Sequence, residues 1–180
     1  MLWASFVGVV ALLSQPTGGV MPFSVTDCSS SRPVLTTSDV MVIPYPVQVP
    51  GKVTARGRIV LNRPVEGDLT LEVTMKKHVK WNIWTPVPCV GNIGSCSYKN
   101  LCTMLPRLPS KVKIQTPDSA GLECPLPAGE YILNPSVFTI PEFTGPLSWL
   151  AKGDFRLTAK LIDDRTGEEL GCQQVELTIT

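Results

Sequence analysis

The sequence predicts an all-β domain, a sandwich of short antiparallel strands. Three features carry that expectation. Seventeen prolines are scattered along the 180 residues, which disfavours long helices and favours short elements joined by hard turns. Apolar and polar residues alternate with period two in several places, the pattern of a strand with one buried and one wet face. Turn signals such as Pro50-Gly51 and Asp163-Asp164-Arg165-Thr166-Gly167 punctuate those stretches. Seven or eight strands are expected, and no internal repeat or low-complexity tract interrupts them.

The chain begins with an apolar stretch, Leu2 to Leu13, and carries no charged side chain before Asp27. That stretch is shorter than the roughly 20 residues a membrane-spanning helix needs. It suits the core of a secretory leader cut after Gly19, with Thr17 and Gly19 as the small residues at the cleavage site. Residues 1–19 are therefore expected to be a signal peptide, and residues 20–180 one domain with a substantial core.

Val40 to Val49 carries Pro44 and Pro46, which allows an edge strand but not a central one. Val53 to Leu61 alternates, with Val53, Ala55, Ile59 and Leu61 on one side. Asp68 to Lys77 is the cleanest strand, with Leu69, Leu71, Val73 and Met75 facing one way and Thr70, Glu72, Thr74 and Lys76 the other. Tyr98 to Leu105 has room for one or two helical turns before Pro106 and Pro109 stop them. Lys111 to Gln115 and Glu130 to Ile140 return to strand character. Phe155, Leu157, Ala159 and Leu161 alternate with polar residues, and so do Val175, Leu177 and Ile179, so the turn at 163–167 joins a β-hairpin.

Between these strands, Trp81 to Cys102 gathers two tryptophans, three cysteines and a glycine-rich turn. Cys89 and Cys96 bracket a short loop that suits a disulfide staple in an oxidising compartment, with Cys102 reaching a more distant partner. A metal site is not expected, because no C-x-x-C occurs and His78 is the only histidine. The six cysteines form an even set, but their spacing does not choose among the possible pairings. Sixteen basic residues nearly cancel fifteen acidic ones, so there is no electrostatic case for nucleic acid. Nor is the chain expected to be an enzyme. It has neither G-x-S-x-G nor H-E-x-x-H, its lone histidine sits among Lys76, Lys77 and Lys80, and Asp163, Asp164, Glu168 and Glu169 fall in a turn where carboxylates are normally solvated.

One segment breaks the pattern. Val137 to Leu150 holds Val137, Phe138, Ile140, Phe143, Leu147, Trp149 and Leu150, has Glu142 as its only charge, and is broken by Pro141, Gly145 and Pro146. Those breaks argue for a loop, and an apolar loop needs a reason. It is either a plug folded over the core or a lip at an apolar pocket or membrane. The same two readings apply to Trp81 and Trp84.

The elements Trp84-x-Pro-Val-Pro-Cys89, Ile93-Gly-Ser-Cys96, Leu101-Cys102, Cys124-Pro-Leu-Pro-Ala-Gly129-Glu-Tyr131, Pro146-Leu-Ser-Trp149-Leu150-Ala-Lys-Gly153 and Leu170-Gly-Cys172 resemble the ML lipid-recognition family, and within it the ganglioside-activator branch. The resemblance runs from Cys28 to Cys172. It implies a β-cup, an immunoglobulin-like sandwich of two antiparallel sheets splayed around an apolar lipid cavity, with one short helix. It implies the disulfides Cys28–Cys172, Cys89–Cys96 and Cys102–Cys124. It further implies a cavity lined by Leu69, Leu71, Val73, Met75, Tyr131, Phe155 and Leu157, and a rim built from Trp81, Trp84 and the apolar segment 137–150. The function implied is lysosomal or extracellular and non-enzymatic, with no cofactor beyond a bound lipid. Such a protein draws a glycosphingolipid or phospholipid from a membrane surface and presents it to a soluble glycosidase of the β-hexosaminidase kind. The alternative is a secreted β-sandwich of innate-immune or allergen type that recognises its target by a surface patch.

Overall fold

The computed structural model describes residues 19–180, so the leader reading falls, apart from Gly19, outside the described residues. Among the described residues, ten strands form two sheets. In the first, β1 (Ser24–Asp27), β10 (Glu169–Ile179), β9 (Gly153–Asp163), β4 (Leu69–Val79) and β5 (Ile83–Pro86) lie side by side, and β6 (Ser97–Tyr98) also pairs with β4. In the second the order is β2 (Leu35–Ile43), β3 (Gly51–Leu61), β8 (Gly129–Ile140), β7 (Ile114–Gln115). Every pairing between these strands is antiparallel. One short helix, α1 (Leu101–Met104), runs into a 3-10 turn at Leu105–Arg107, where Pro106 and the chain beyond end it. Among the described residues, no helix is long and apolar enough to cross a membrane.

The strands are longer than the proline content suggests. β3, β4, β9 and β10 each span 11 residues and β8 spans 12. β8 accommodates Pro135 by a bulge: its register against β3 steps from Leu133 opposite Gly57 to Ser136 opposite Ala55. A bulge is where a strand tolerates a residue without a donor N–H. The strand therefore continues through Val137, Phe138 and Ile140, as the strand character of Glu130 to Ile140 leads one to expect, and the loop reading of 137–150 fails over its first four residues. Only the remainder of that segment is irregular, ending in a 3-10 turn at Gly145–Leu150. β2 takes an edge position and ends at Ile43, so the part of the expected Val40–Val49 strand that carries Pro44 and Pro46 lies beyond it.

The hairpin turn between β9 and β10 corrects another expectation. Asp163 is not solvated but 4% exposed, because its Oδ1 accepts hydrogen bonds from the backbone N–H groups of Arg165 (2.9 Å) and Thr166 (3.1 Å). The carboxylate takes over backbone donors that the turn would otherwise leave unpaired.

Three disulfides tie the domain together: Cys28–Cys172, Cys89–Cys96 and Cys102–Cys124. The first closes a separation of 144 residues and pins β1 to β10. The second encloses a tight hairpin in which Val90 and Ile93 exchange both backbone hydrogen bonds around Gly91 and Asn92, each at positive φ. Inside that staple Gly94 has no substitute, since a Cβ there would lie 2.1 Å from the Pro88 carbonyl oxygen.

Two apolar clusters fill the sandwich. Around α1, Val34, Leu61, Val65, Leu69, Leu126, Tyr131 and Leu170 are buried together. At the far end of the long strands, Val87, Leu150 and Phe155 form a second buried cluster, with Met75, Phe143 and Leu157 packed against it. β4 joins the two: Leu69 stands at one end and Met75 six residues along, about 20 Å away at the usual rise of a strand.

Candidate functional site: an apolar cavity beneath the short helix

A cavity of about 230 Å³ lies between the sheets at the α1 end. The first sheet contributes Leu69 and Leu161, and the second contributes Leu35, Ile59, Leu61, Ile114, Tyr131 and Leu133. Leu101 and Leu105 close it from α1 and the turn beyond, and Val65, Leu122 and Leu126 close it from the loops. Alternation puts most of these side chains there: Ile59 and Tyr131 are opposite one another in the ladder, as are Leu61 and Gly129, so the odd-numbered positions of 57–61 in β3 and 129–133 in β8 point inward. The one polar atom on a lining side chain, the Tyr131 hydroxyl, donates to the Pro127 carbonyl at 2.8 Å. Burial pushes the Tyr131 phenol above its ordinary pKa. An apolar space of this kind does not retain water and accepts apolar guests.

The structure divides the residues that sequence reasoning grouped together. Leu69 and Tyr131 line the cavity. Met75, Phe155 and Leu157 belong to the second cluster instead, and Leu71 and Val73 occupy the stretch of β4 between. Period-two alternation identifies the inward face but not how far along it a void extends. The eleven other lining residues come from β2, β3, β7, β8, β9, α1 and the loops, where a leucine on a one-turn helix or a proline-flanked loop carries no signal that distinguishes it from ordinary core.

The expected rim lies at the opposite end from this cavity. Leu150 is 1% exposed and is a core residue, with Phe143 packed beside it, so this part of the segment is a plug. The adjacent Trp149 is 41% exposed and Val137 48%. Phe138 and Ile140 are half-buried on the strand face opposite to Val137. The side chain of Leu147 lies outside the described residues. Trp84 stands on the outer face of the first sheet, paired in the ladder with His78. The Arg156 guanidinium is 4.2 Å from its ring centroid and the His78 ring 5.1 Å, an arrangement stabilised by cation–π attraction.

Trp81 is the exception to all packing. It is 91% exposed at the turn Lys80–Asn82 between β4 and β5, with φ 66. A bulky residue in the left-handed region is disfavoured on steric grounds. Nearby, Lys77 sits on the inward face of β4. Its ammonium lies 5.4 Å from the Trp149 ring centroid and 5.5 Å from that of Phe155, and donates a hydrogen bond to the Trp149 carbonyl. Burial lowers the Lys77 pKa. Among the described residues, no cluster of three His, Cys, Asp or Glu side chains is placed to hold a metal ion.

The family model described as ML domain matches residues 22–179. Ganglioside GM2 activator of Mus musculus is 29% identical over 183 residues, covering 99% of this chain and 93% of that protein. Ganglioside GM2 activator of Macaca fascicularis is 30% identical over 165 residues, covering 87% of this chain and 83% of that protein. Among solved structures, a Niemann-Pick type C2 protein from Japanese carpenter ant aligns with TM-score 0.48 at 13% identity, covering 87% of this chain and 99% of that one. With the domain match spanning nearly every described residue, this chain is a member of the ML-domain family.

Proposed function

We propose that this chain is a non-enzymatic lipid-binding and transfer protein of the secretory pathway, lysosomal or extracellular, with residues 1–19 as its leader. It takes a glycosphingolipid or related lipid from a membrane and presents the headgroup to a soluble glycosidase of the β-hexosaminidase kind. The observation that carries this is the cavity between the sheets, whose wall is apolar on every side. The names of the two curated relatives point the same way.

Burial of acyl chain in such a space gains roughly 25 cal/mol per Å² of apolar surface. Chains in a bilayer already enjoy that gain, so extraction costs little in either direction and the protein acts as a carrier, not a trap. Pockets for drug-sized ligands usually occupy about 300–1,000 Å³. At about 230 Å³ the cavity holds part of one chain, and a two-chain lipid requires the covering segments to move outward. Contact with the membrane falls to the other end, where Trp81 and Trp149 are exposed and an indole is favoured at the lipid–water boundary.

Delipidated protein tests this with a fluorescent glycosphingolipid in donor vesicles and dark acceptor vesicles. Transfer proportional to protein concentration is expected, together with faster glycosidase turnover of the vesicle-bound substrate. Binding of vesicles with neither lipid uptake nor transfer would favour the surface-recognition alternative.

A further inference from the structure

The outer face of the second sheet leaves its charges uneven. Alternation turns Val53, Ala55, Ile59 and Leu61 of β3 inward, so Lys52, Thr54, Arg56 and Arg58 face outward. Arg58 is neutralised by two carboxylates, Asp39 at 3.2 Å and Glu130 at 2.5 Å. Arg56 and Lys52 are exposed, and neither pairs with a carboxylate among the described residues. On the outer face of the first sheet, by contrast, Arg156 meets Glu176 at 2.7 Å and Lys160 meets Glu169 at 2.9 Å.

Around the two uncompensated cations the surface is apolar. Ile43 of β2 and Val137 of β8 flank Thr54 in the ladder, and Met41 flanks Arg56 one level along. All three apolar side chains are exposed, as is Pro135. Single exposed apolar residues are ordinary, but four drawn together across three adjacent strands are not. Nor is the ground between them flat. β2 steps from Ser38 opposite Arg58 to Met41 opposite Arg56, and β8 from Leu133 opposite Gly57 to Ser136 opposite Ala55. Both neighbours of β3 thus carry an extra residue at the same level, and bulges of this kind re-aim side chains beside functional sites. Two hollows there share Arg56 and Pro135: one of about 210 Å³ with Met41, Ile43 and Thr54, the other of about 250 Å³ with Arg58, Asp39 and Asn134. An unpaired guanidinium stands between an apolar hollow and a polar one.

The far end of the strands sets the direction in which this face looks. β8 runs from Val137 to Ile140, and the chain continues into the turn that bears Trp149. With the tryptophan end against a membrane, the strands stand away from the lipid and the outer face of the sheet looks into water. What reaches it there is a soluble molecule, and the two uncompensated cations select an acidic one.

We propose that this face, with Arg56 at its centre, Lys52 beside it and Met41, Ile43, Pro135 and Val137 as its apolar ground, is the docking surface for the soluble glycosidase. The complementary patch on that partner presents a carboxylate to Arg56 and an apolar side chain to the hollow beside it. This rests on the glycolipid-presenting function proposed above and adds to it the surface by which the enzyme is recruited. A patch three strands wide, about 10 Å across, makes a small contact of the kind weak encounter complexes use, as repeated delivery of substrate requires.

The test uses the full mature protein, a purified β-hexosaminidase and a fluorescent glycosphingolipid ending in N-acetylhexosamine. The lipid is held in neutral phosphatidylcholine vesicles, with and without an added anionic phospholipid. For the double variant Lys52→Glu with Arg56→Glu, turnover of the vesicle-bound lipid is expected to fall at least tenfold. Transfer between vesicles and thermal unfolding should stay at the level of the natural protein. Arg56→Gln is expected to lose turnover several-fold and Arg56→Lys to lose little, which keeps the test decisive should the double variant misfold. Unaltered turnover with the folded variants, or no stimulation by natural protein that does transfer lipid, would overturn the docking surface and leave lipid transfer intact. Loss of transfer from anionic vesicles alongside turnover would overturn it in favour of a membrane contact. A natural protein that neither transfers lipid nor stimulates turnover would overturn the function itself, and the surface with it.

Discussion

The two ends of this sandwich are built from the same strands to opposite effect. At the tryptophan end, Val87, Leu150 and Phe155 are at most 1% exposed and close the space between the sheets. At the α1 end, thirteen apolar residues surround a space they do not fill. The difference comes from what covers each opening. A Pro-broken 3-10 turn lays Leu150 directly onto Phe155, whereas a one-turn helix and a disulfide-closed loop bridge the other end from outside. Inward alternation makes a core or a cavity, and the cap decides which.

The largest expected effect separates the two ends by stability. Phe155→Ala removes a buried ring from the filled end, so it is expected to cost about 3–5 kcal/mol. Lipid uptake per folded molecule should persist. Leu122→Ala, at a half-buried position in the cavity wall, should cost far less and speed uptake. Urea titration paired with stopped-flow probe binding checks both. Equal losses of stability would erase the distinction between a packed end and a hollow one.

The disulfide-closed loop at the α1 end is the next lever. Replacing Cys102 and Cys124 together by alanine frees a loop of separation 22, for which the chain-entropy account gives about 3 kcal/mol. The melting temperature should fall accordingly, and amide exchange should accelerate most within 103–123. Uniform acceleration across both sheets would show that this loop is not a separate unit.

Trp81 offers a smaller effect of opposite sign. Asparagine tolerates the left-handed conformation that Trp81 adopts at φ 66, so Trp81→Asn is expected to stabilise the fold by up to about 1 kcal/mol. The same change should weaken association with liposomes several-fold, since the ring is 91% exposed and contributes little to packing. Calorimetry and liposome sedimentation on one preparation measure both. A stabilised protein with unchanged sedimentation would remove Trp81 from the membrane contact.

The smallest effect is one of pH. Because burial lowers the Lys77 pKa in the folded state, the unfolded chain holds its proton to higher pH. Stability of the natural protein should therefore climb as pH rises through that lowered value towards the ordinary lysine value of about 10.4. Lys77→Met should lack that climb. Glu169 has the reverse sign. The Lys160 hydrogen bond holds its carboxyl below the usual range, so its contribution is complete above about pH 4.3 and fades as pH falls through the folded value. Thermal scans across pH resolve the two.

Much of this fold is legible in the sequence. The alternation in β4 and across β9 and β10 names the inward face, and the prolines of the chain after β2 mark its edge. Glu130 to Ile140 is legible as a strand, but the bulge that seats Pro135 within it is not, because whether a proline ends a strand or sits in a bulge depends on the neighbouring strand. The site is harder to read. Leu69 and Tyr131 emerge from periodicity, but Leu105, Ile114 and Leu122 sit in a 3-10 turn, a two-residue strand and a loop. Only three-dimensional closure by Cys102–Cys124 gathers them. Leu150 and Trp149 are neighbours with opposite environments, one at 1% and the other at 41% exposure, and composition assigns both to one apolar segment.

The central claim is that the space beneath α1 is where an acyl chain goes. Uptake of a polarity-sensitive fatty acid by delipidated natural protein, compared with a Leu133→Trp variant that fills the space from β8, tests it most directly. The account predicts saturable fluorescence gain for the natural protein and at least a tenfold loss of affinity for the variant, with melting within a few degrees of the parent. Undiminished uptake by a folded Leu133→Trp protein would contradict it.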